Sequence, residues 1–135
     1  MRVMIDTNVL ISALLFPGSR VHRALEDILA SHALVISSFV VDELRAVVQR
    51  KFPGKAAVID ALLEQMAFEL VYTPENIEPG LFEIRDPKDY PVLYTAITNG
   101  VDVLVTGDKD FSGIGIEMPE ILTPAEYLEK YAARD

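Results

Sequence analysis

Short apolar runs alternate with stretches of helical period along the whole chain, and this alternation restricts the fold more than any other feature. RVMI at residues 2–5, ALVIS at 33–37, ELVY at 69–72 and VDVLV at 101–105 are rich in β-branched residues, as strands buried on both faces are. Between them, SRVHRALEDILASH sets Val21, Leu25, Ile28 and Leu29 on one helical stripe, and KAAVIDALLEQMAF does the same with Val58, Leu62 and Met66. A last strand near Glu120 to Leu122 and a helix from about Pro124 to Ala132 close the series. Strands separated by helices need crossover connections, so the expected class is α/β, with a mostly parallel sheet of about five strands covered on both faces. No repeat, low-complexity tract or linker divides residues 1–135, which are expected to form one domain.

Composition narrows the function. Apolar residues make up 50% of the chain and charged residues only 24%, which suits a compact globule. Cysteine is absent, so no disulfide forms; a reducing, cytoplasmic setting is expected. No segment approaches the roughly 20 apolar residues of a membrane helix, and Arg2 followed by a short strand-like run does not make a secretion signal. The formal net charge of −9 disfavours a general nucleic-acid binder, because the protein's field repels polyanions. A nuclease remains compatible if metal ions and a local basic patch offset the acid at the site.

In open α/β sheets, ligands gather beyond the carboxyl ends of the strands. Asp6 stands there, directly after RVMI, where it also reads as a helix cap together with Thr7 or Asn8. On a helix, SFVVDELRAVVQRK places Phe39, Val40, Leu44, Val47 and Val48 on one arc, and Glu43 falls inside it. A carboxylate on a core-facing arc is costly unless paired, protonated or metal-bound; pairing with Arg50 from the edge of the arc is the alternative. In RDPKDYPVLYTAITNG, Pro91 marks a first helical turn and sets Asp89 at or just before the start, where the peptide dipoles favour an anion. Asp86 with Pro87 reads as a turn. VDVLVTGDKDF again runs a strand into acid, at Asp108 and then Asp110, although turn chemistry also uses Gly and Asp.

Four carboxylates in one cleft repel each other by about 4 kcal/mol per pair at 4 Å and an effective dielectric of 20, so a cation or protons must offset them. With no cysteine, and with His22 and His32 reading as surface residues, an oxygen-only site suits Mg²⁺ or Mn²⁺ rather than zinc. A Ser-His-Asp hydrolase is hard to build, for no serine sits on a glycine-rich elbow. Phosphoryl transfer through an aspartyl intermediate fits poorly, because the residue two beyond Asp6 is Asn8.

MIDTNVLIS at the start, SSFVVDEL near residue 40, DPKDYPVL near 89 and LVTGDKDF near 108 together resemble the PIN domain. The likeness is greatest to the bacterial and archaeal PIN proteins classed as toxins of toxin-antitoxin pairs (VapC-like). It spans nearly the whole chain in the family's order. The resemblance implies a three-layer α/β/α sandwich and a metal-dependent ribonuclease. Its acidic quartet carries over to Asp6, Glu43, Asp89 and Asp108 as catalytic residues and ligands for Mg²⁺ or Mn²⁺, with Asn8, Ser12 and Asp110 in support. DPKDYP departs from the shorter helix entry of many toxin members, which brings in Asp86 as a rival ligand; the spacing to AITNG favours Asp89. The expected reaction is hydrolysis of RNA to a 5′ phosphate and a 3′ hydroxyl with no protein nucleophile.

Arg45, Arg50, Lys51 and Lys55, with Lys88 and Lys109 beside two proposed ligands, are candidates for contact with single-stranded or structured RNA; solvated helix faces are the alternative. A second reading is a catalytically silent or occluded binding module regulated by a partner. Phe16, Phe52, Tyr72 and Phe82 would then meet an antitoxin segment or a second copy, as in the dimers common among such PIN proteins, unless they pack in the core.

Overall fold

The computed structural model describes residues 1–108, 111 and 114–132. β1 (Arg2–Ile5) leads into α1 (Thr7–Leu15) and α2 (Arg20–Ser31). β2 (Ala33–Ser37) leads into α3 (Ser38–Lys51), a 3-10 turn (Pro53–Lys55) and α4 (Ala56–Gln65). After β3 (Glu69–Val71) a long segment reaches a second 3-10 turn (Pro87–Asp89) and α5 (Tyr90–Thr98), followed by β4 (Val103–Val105), β5 (Glu120–Leu122) and α6 (Pro124–Tyr131).

The strands form one sheet in the order β3-β2-β1-β4-β5 with every pairing parallel, so the fold is an α/β sandwich of the expected kind. Parallel strands need both faces covered, and the three central strands are accordingly buried along Val3–Ile5, Leu34–Ser37 and Val103–Val105. α1 packs on α2, α3 and α4, and α2 packs on α6. β3, at one edge, shows more to solvent: Glu69 and Leu70 are exposed, and the strand stops one residue short of Tyr72, which is 74% exposed.

Local signals explain the boundaries. α5 ends in a Schellman turn in which Gly100, at φ +64°, lets its own N–H reach the Ile97 carbonyl and the Val101 N–H reach Ala96, both at 3.1 Å. That turn takes up Val101, so β4 begins only at Val103 rather than at 101. α6 starts with a capping box between Thr123 and Glu126. α2 buries Leu25 and Ile28, the centre of its expected stripe, with Val21 and Leu29 at the margins. α4 differs: it buries Ile59 and Leu63, while Val58 is 53% exposed. Apolar residues at 56–59 and 61–63 permit two adjacent stripes, and contact with α1 and α3 selects the one centred on Ile59.

Candidate active site

From β1 the chain moves outward through β2 and β3 on one side, then returns to build β4 and β5 on the other. β1 and β4 are therefore neighbours across the point where the winding reverses, and connections leaving them in opposite senses open a crevice beyond their carboxyl ends. Asp6 and Asp108 both stand there.

Asp6 is 7% exposed and caps α1: its Oδ1 accepts from the Val9 N–H at 2.9 Å. Its Oδ2 accepts from the Thr106 hydroxyl. Capping and site chemistry thus share one side chain through its two oxygens. Burial pushes the Asp6 carboxyl up from the ordinary 3.8 to about 6; the bonds from Thr106 and Val9 pull it down, and the negative charges of Asp108 and Glu43 add to the rise. Asp6, Asp108 and Glu43 are thus electrostatically coupled across the edge of the sheet.

Each partner of Asp6 is placed by a threonine that sequence reasoning did not single out. Thr106, 2% exposed, donates to Asp6 and accepts from the Asp108 backbone N–H at 3.0 Å, so one hydroxyl bridges the two acids. Thr7, 4% exposed, donates to Glu43 Oε1 from the first turn of α1. Glu43 lies half-buried between buried Val40, Leu44 and Val48 of α3, and this bond is what satisfies a carboxylate on that face. The available signal was a threonine at the end of each buried strand, flanked by acid, in IDTN and VTGD.

Asp89 occupies the cap position of α5, yet its side chain makes no capping bond, and its Oδ2 is shut off from solvent. Capping therefore does not account for this residue. Asp86 behaves as the turn residue it resembled: it accepts from the Lys88 N–H at 3.0 Å and starts the 3-10 turn. Among the described residues, no three acidic or imidazole side chains stand close enough to form a ready-made metal-binding group. Asn8 is exposed, and Ser12 is half-buried one turn further along α1. Asp110 and Lys109 lie outside the described residues.

The basic candidates separate. Arg45 faces Asp60 of α4 at 3.7 Å, a solvated pair. Arg50 and Lys51 are exposed in the last turn of α3, Lys55 is exposed in the adjoining 3-10 turn, and Lys88 is exposed beside Asp89. Both histidines are half-buried rather than on the surface: His22 contacts the Ala13 carbonyl at 2.8 Å and Glu26 at 3.2 Å, and His32 meets the Tyr127 ring edge-on. Of the four aromatic candidates for a partner surface, Phe16, Phe52 and Tyr72 are exposed, but Phe82 is buried and stacks on Tyr90 at 4.3 Å. No helix among the described residues is long and apolar enough to cross a membrane.

Solved structures share this architecture. VapBC2 from Rickettsia felis, bound to a DNA fragment from their promoter, matches with a TM-score of 0.68 and 21% identity over 90% of this chain and 97% of that one. DNA-bound VapBC from Salmonella typhimurium gives 0.67 and 18% identity over 92% and 98%. Mycobacterium tuberculosis VapC20, a Sarcin-Ricin loop cleaving toxin, gives 0.59 and 18% over 84% and 95%. At these identities the likeness speaks for the fold. No curated protein matches the chain in sequence. The family model of the PIN domain matches residues 2–110, from the first strand to beyond β4, and the chain therefore belongs to the PIN domain family.

Proposed function

We propose that this protein is a metal-dependent ribonuclease that hydrolyses RNA phosphodiester bonds as the toxin of a toxin-antitoxin pair, with residues 1–135 as a single nuclease domain. Membership of the PIN family and likeness to VapC structures support nuclease chemistry. The observation that carries the reading is the buried Asp6, raised to about 6 and coupled to Asp108 and Glu43 at the reversal point of the sheet. A carboxylate buried beside two half-buried like charges is a poor way to stabilise a fold and a good way to hold a cation.

The donor set fits a hard divalent ion: oxygen ligands only, with His22 engaged by Ala13 and Glu26 and His32 just before β2, at the amino end of the sheet opposite the acids. Asp6, Asp89 and Asp108, with Glu43 directly or through water, would hold Mg²⁺ or Mn²⁺. Such an ion supplies charge neutralisation at the phosphate and a water acidified for in-line attack. The chain's own part is orientation: Thr106 holds Asp6 and the backbone of Asp108, and Thr7 holds Glu43. Exposed Arg50, Lys51 and Lys88 are the groups to steer RNA against the net charge of −9. An antitoxin partner and a homodimer belong to the same proposal; exposed Phe16 and Phe52 are apolar surface for a partner to cover, and the similar VapBC structures are complexes.

The test is digestion of a panel of single-stranded RNAs with Mg²⁺ or Mn²⁺. Cleavage by the parent and none by Asp6→Asn is expected; an inert parent, freed of any co-purifying peptide, or an equally active Asp6→Asn protein defeats the proposal.

A further inference from the structure

The chain carries 21 acidic and 12 basic residues, yet no acid occurs from Leu44 to Ile59, where Arg45, Arg50, Lys51 and Lys55 fall. Arg45 is answered by Asp60 of α4. The other three make no ion pair among the described residues, whereas Arg2 and Lys130 are bonded to Glu69 and Glu120. Residues 50–55 form an unbroken exposed run at the corner between α3 and α4. Helix electrostatics account for only part of this charge. Cations in the last turn of α3 favour its terminal carbonyls, but Lys55 directly precedes α4, where peptide dipoles favour an anion, and the first turn of α4 holds no acid. Helix stability therefore gains nothing from Lys55. Phe52 is 37% exposed on a bonded backbone: its N–H donates to the Val48 carbonyl at 2.7 Å, and the Lys55 N–H donates to the Phe52 carbonyl at 2.8 Å. An aromatic ring on an anchored backbone thus stands among unanswered cations, in a protein whose net field repels polyanions.

We infer that this corner is a second attachment point for single-stranded RNA, in which Arg50, Lys51 and Lys55 take the phosphates and Phe52 stacks an unpaired base. The inference rests on RNA being the substrate proposed above, and it adds a contact away from the acids. Phosphates supply the charge that the corner lacks, and every base has a face that stacks on an aromatic ring, so such a patch holds a strand without choosing its sequence. From Glu43 to Phe52, α3 rises about 14 Å at 1.5 Å per residue. A stacked strand, rising about 3.4 Å per nucleotide, must therefore extend about four nucleotides or more from the cleaved bond to reach both places.

The experiment uses the intact protein, kept metal-free so that no strand is cut, and reads binding by fluorescence anisotropy of a single-stranded RNA dodecamer and of an abasic dodecamer with the same phosphates. Phe52→Ala is expected to weaken RNA binding at least about 5-fold while leaving the abasic strand within about 2-fold, and Phe52→Tyr to restore the affinity for RNA. Lys55→Gln should weaken both strands and flatten the logarithmic salt slope by about 0.7. RNA affinity unmoved by Phe52→Ala, equal losses for the two strands, no recovery in Phe52→Tyr, or an unchanged slope in Lys55→Gln overturns the inference. So does a mass in light scattering that falls in Phe52→Ala while RNA affinity holds, which would make the corner a protein interface. Because no cleavage is read, the two readings fail separately: cutting by a protein whose RNA affinity ignores Phe52 and Lys55 removes the attachment point alone, and the expected affinities in a protein that cuts no RNA remove the nuclease alone.

Discussion

Replacing Thr106 by valine removes one hydroxyl of nearly unchanged volume from a position 2% exposed, and the consequence follows from its two bonds. The hydroxyl donates to Asp6 Oδ2 and accepts from the Asp108 N–H at 3.0 Å. A bond to an ionised carboxylate is worth about 1.5–3 kcal/mol, and one to a neutral acid about half that. Asp108 is half-buried, so water replaces much of what its N–H loses. The metal-free variant should therefore lose about 2–3 kcal/mol at pH 8, where Asp6 is ionised, and about 1 kcal/mol at pH 5, where it is protonated. By linkage, a difference of about 1.4 kcal/mol corresponds to an Asp6 midpoint about one pH unit higher than in the parent. Urea unfolding at the two pH values and a carboxyl ¹³C titration measure both sides of this equality. A cost independent of pH, or an Asp6 midpoint that stays where it was, refutes the bridge; Thr106→Ser should restore most of the loss.

The sign of the wild-type pH dependence is set by Asp6 itself. Because its folded midpoint of about 6 lies above the ordinary 3.8, the stability present below 3.8 is lost as pH rises through 6, by about 3 kcal/mol in total. Asp6→Asn should thus abolish cleavage yet stabilise the metal-free protein at pH 8 by about 1–3 kcal/mol, with the gain vanishing below pH 4 in thermal melts; a variant less stable at pH 8 than its parent contradicts the burial argument. Neutralising Arg50 and Lys51 together should flatten the logarithmic salt slope of single-stranded RNA binding by about 1.4, and an unchanged slope removes the end of α3 from the RNA path. In α4, Ile59→Ala should cost about 2–4 kcal/mol in chemical denaturation and Val58→Ala under about 0.5; the reverse order would mean that the helix docks by its other stripe.

Much of the architecture was open to reading because a parallel sheet buried on both faces leaves uninterrupted apolar runs, and RVMI, ALVIS and EIL end as strands where those runs end. The same logic exposed Asp6 and Glu43: a carboxylate that ends a buried strand, or interrupts an apolar arc, is visible as a local contradiction. What no local pattern carries is the identity of the partner that resolves it. Thr7 lies 36 residues from Glu43, and Thr106 lies 100 residues from Asp6. A threonine hydroxyl in a strand-end loop satisfies ordinary turn chemistry equally well, so its role is invisible until folding sets the two strand ends side by side.

Helix α4 and the aromatic residues make the same division elsewhere. Their composition guarantees that apolar surface is available, but Ile59 rather than Val58, and Phe82 rather than Phe16, is buried because of what the neighbouring elements present. Periodicity along one chain specifies which residues prefer to leave water. Only the packed arrangement supplies a shape for them to fill, and only there do acids distant in sequence come within electrostatic reach of one another.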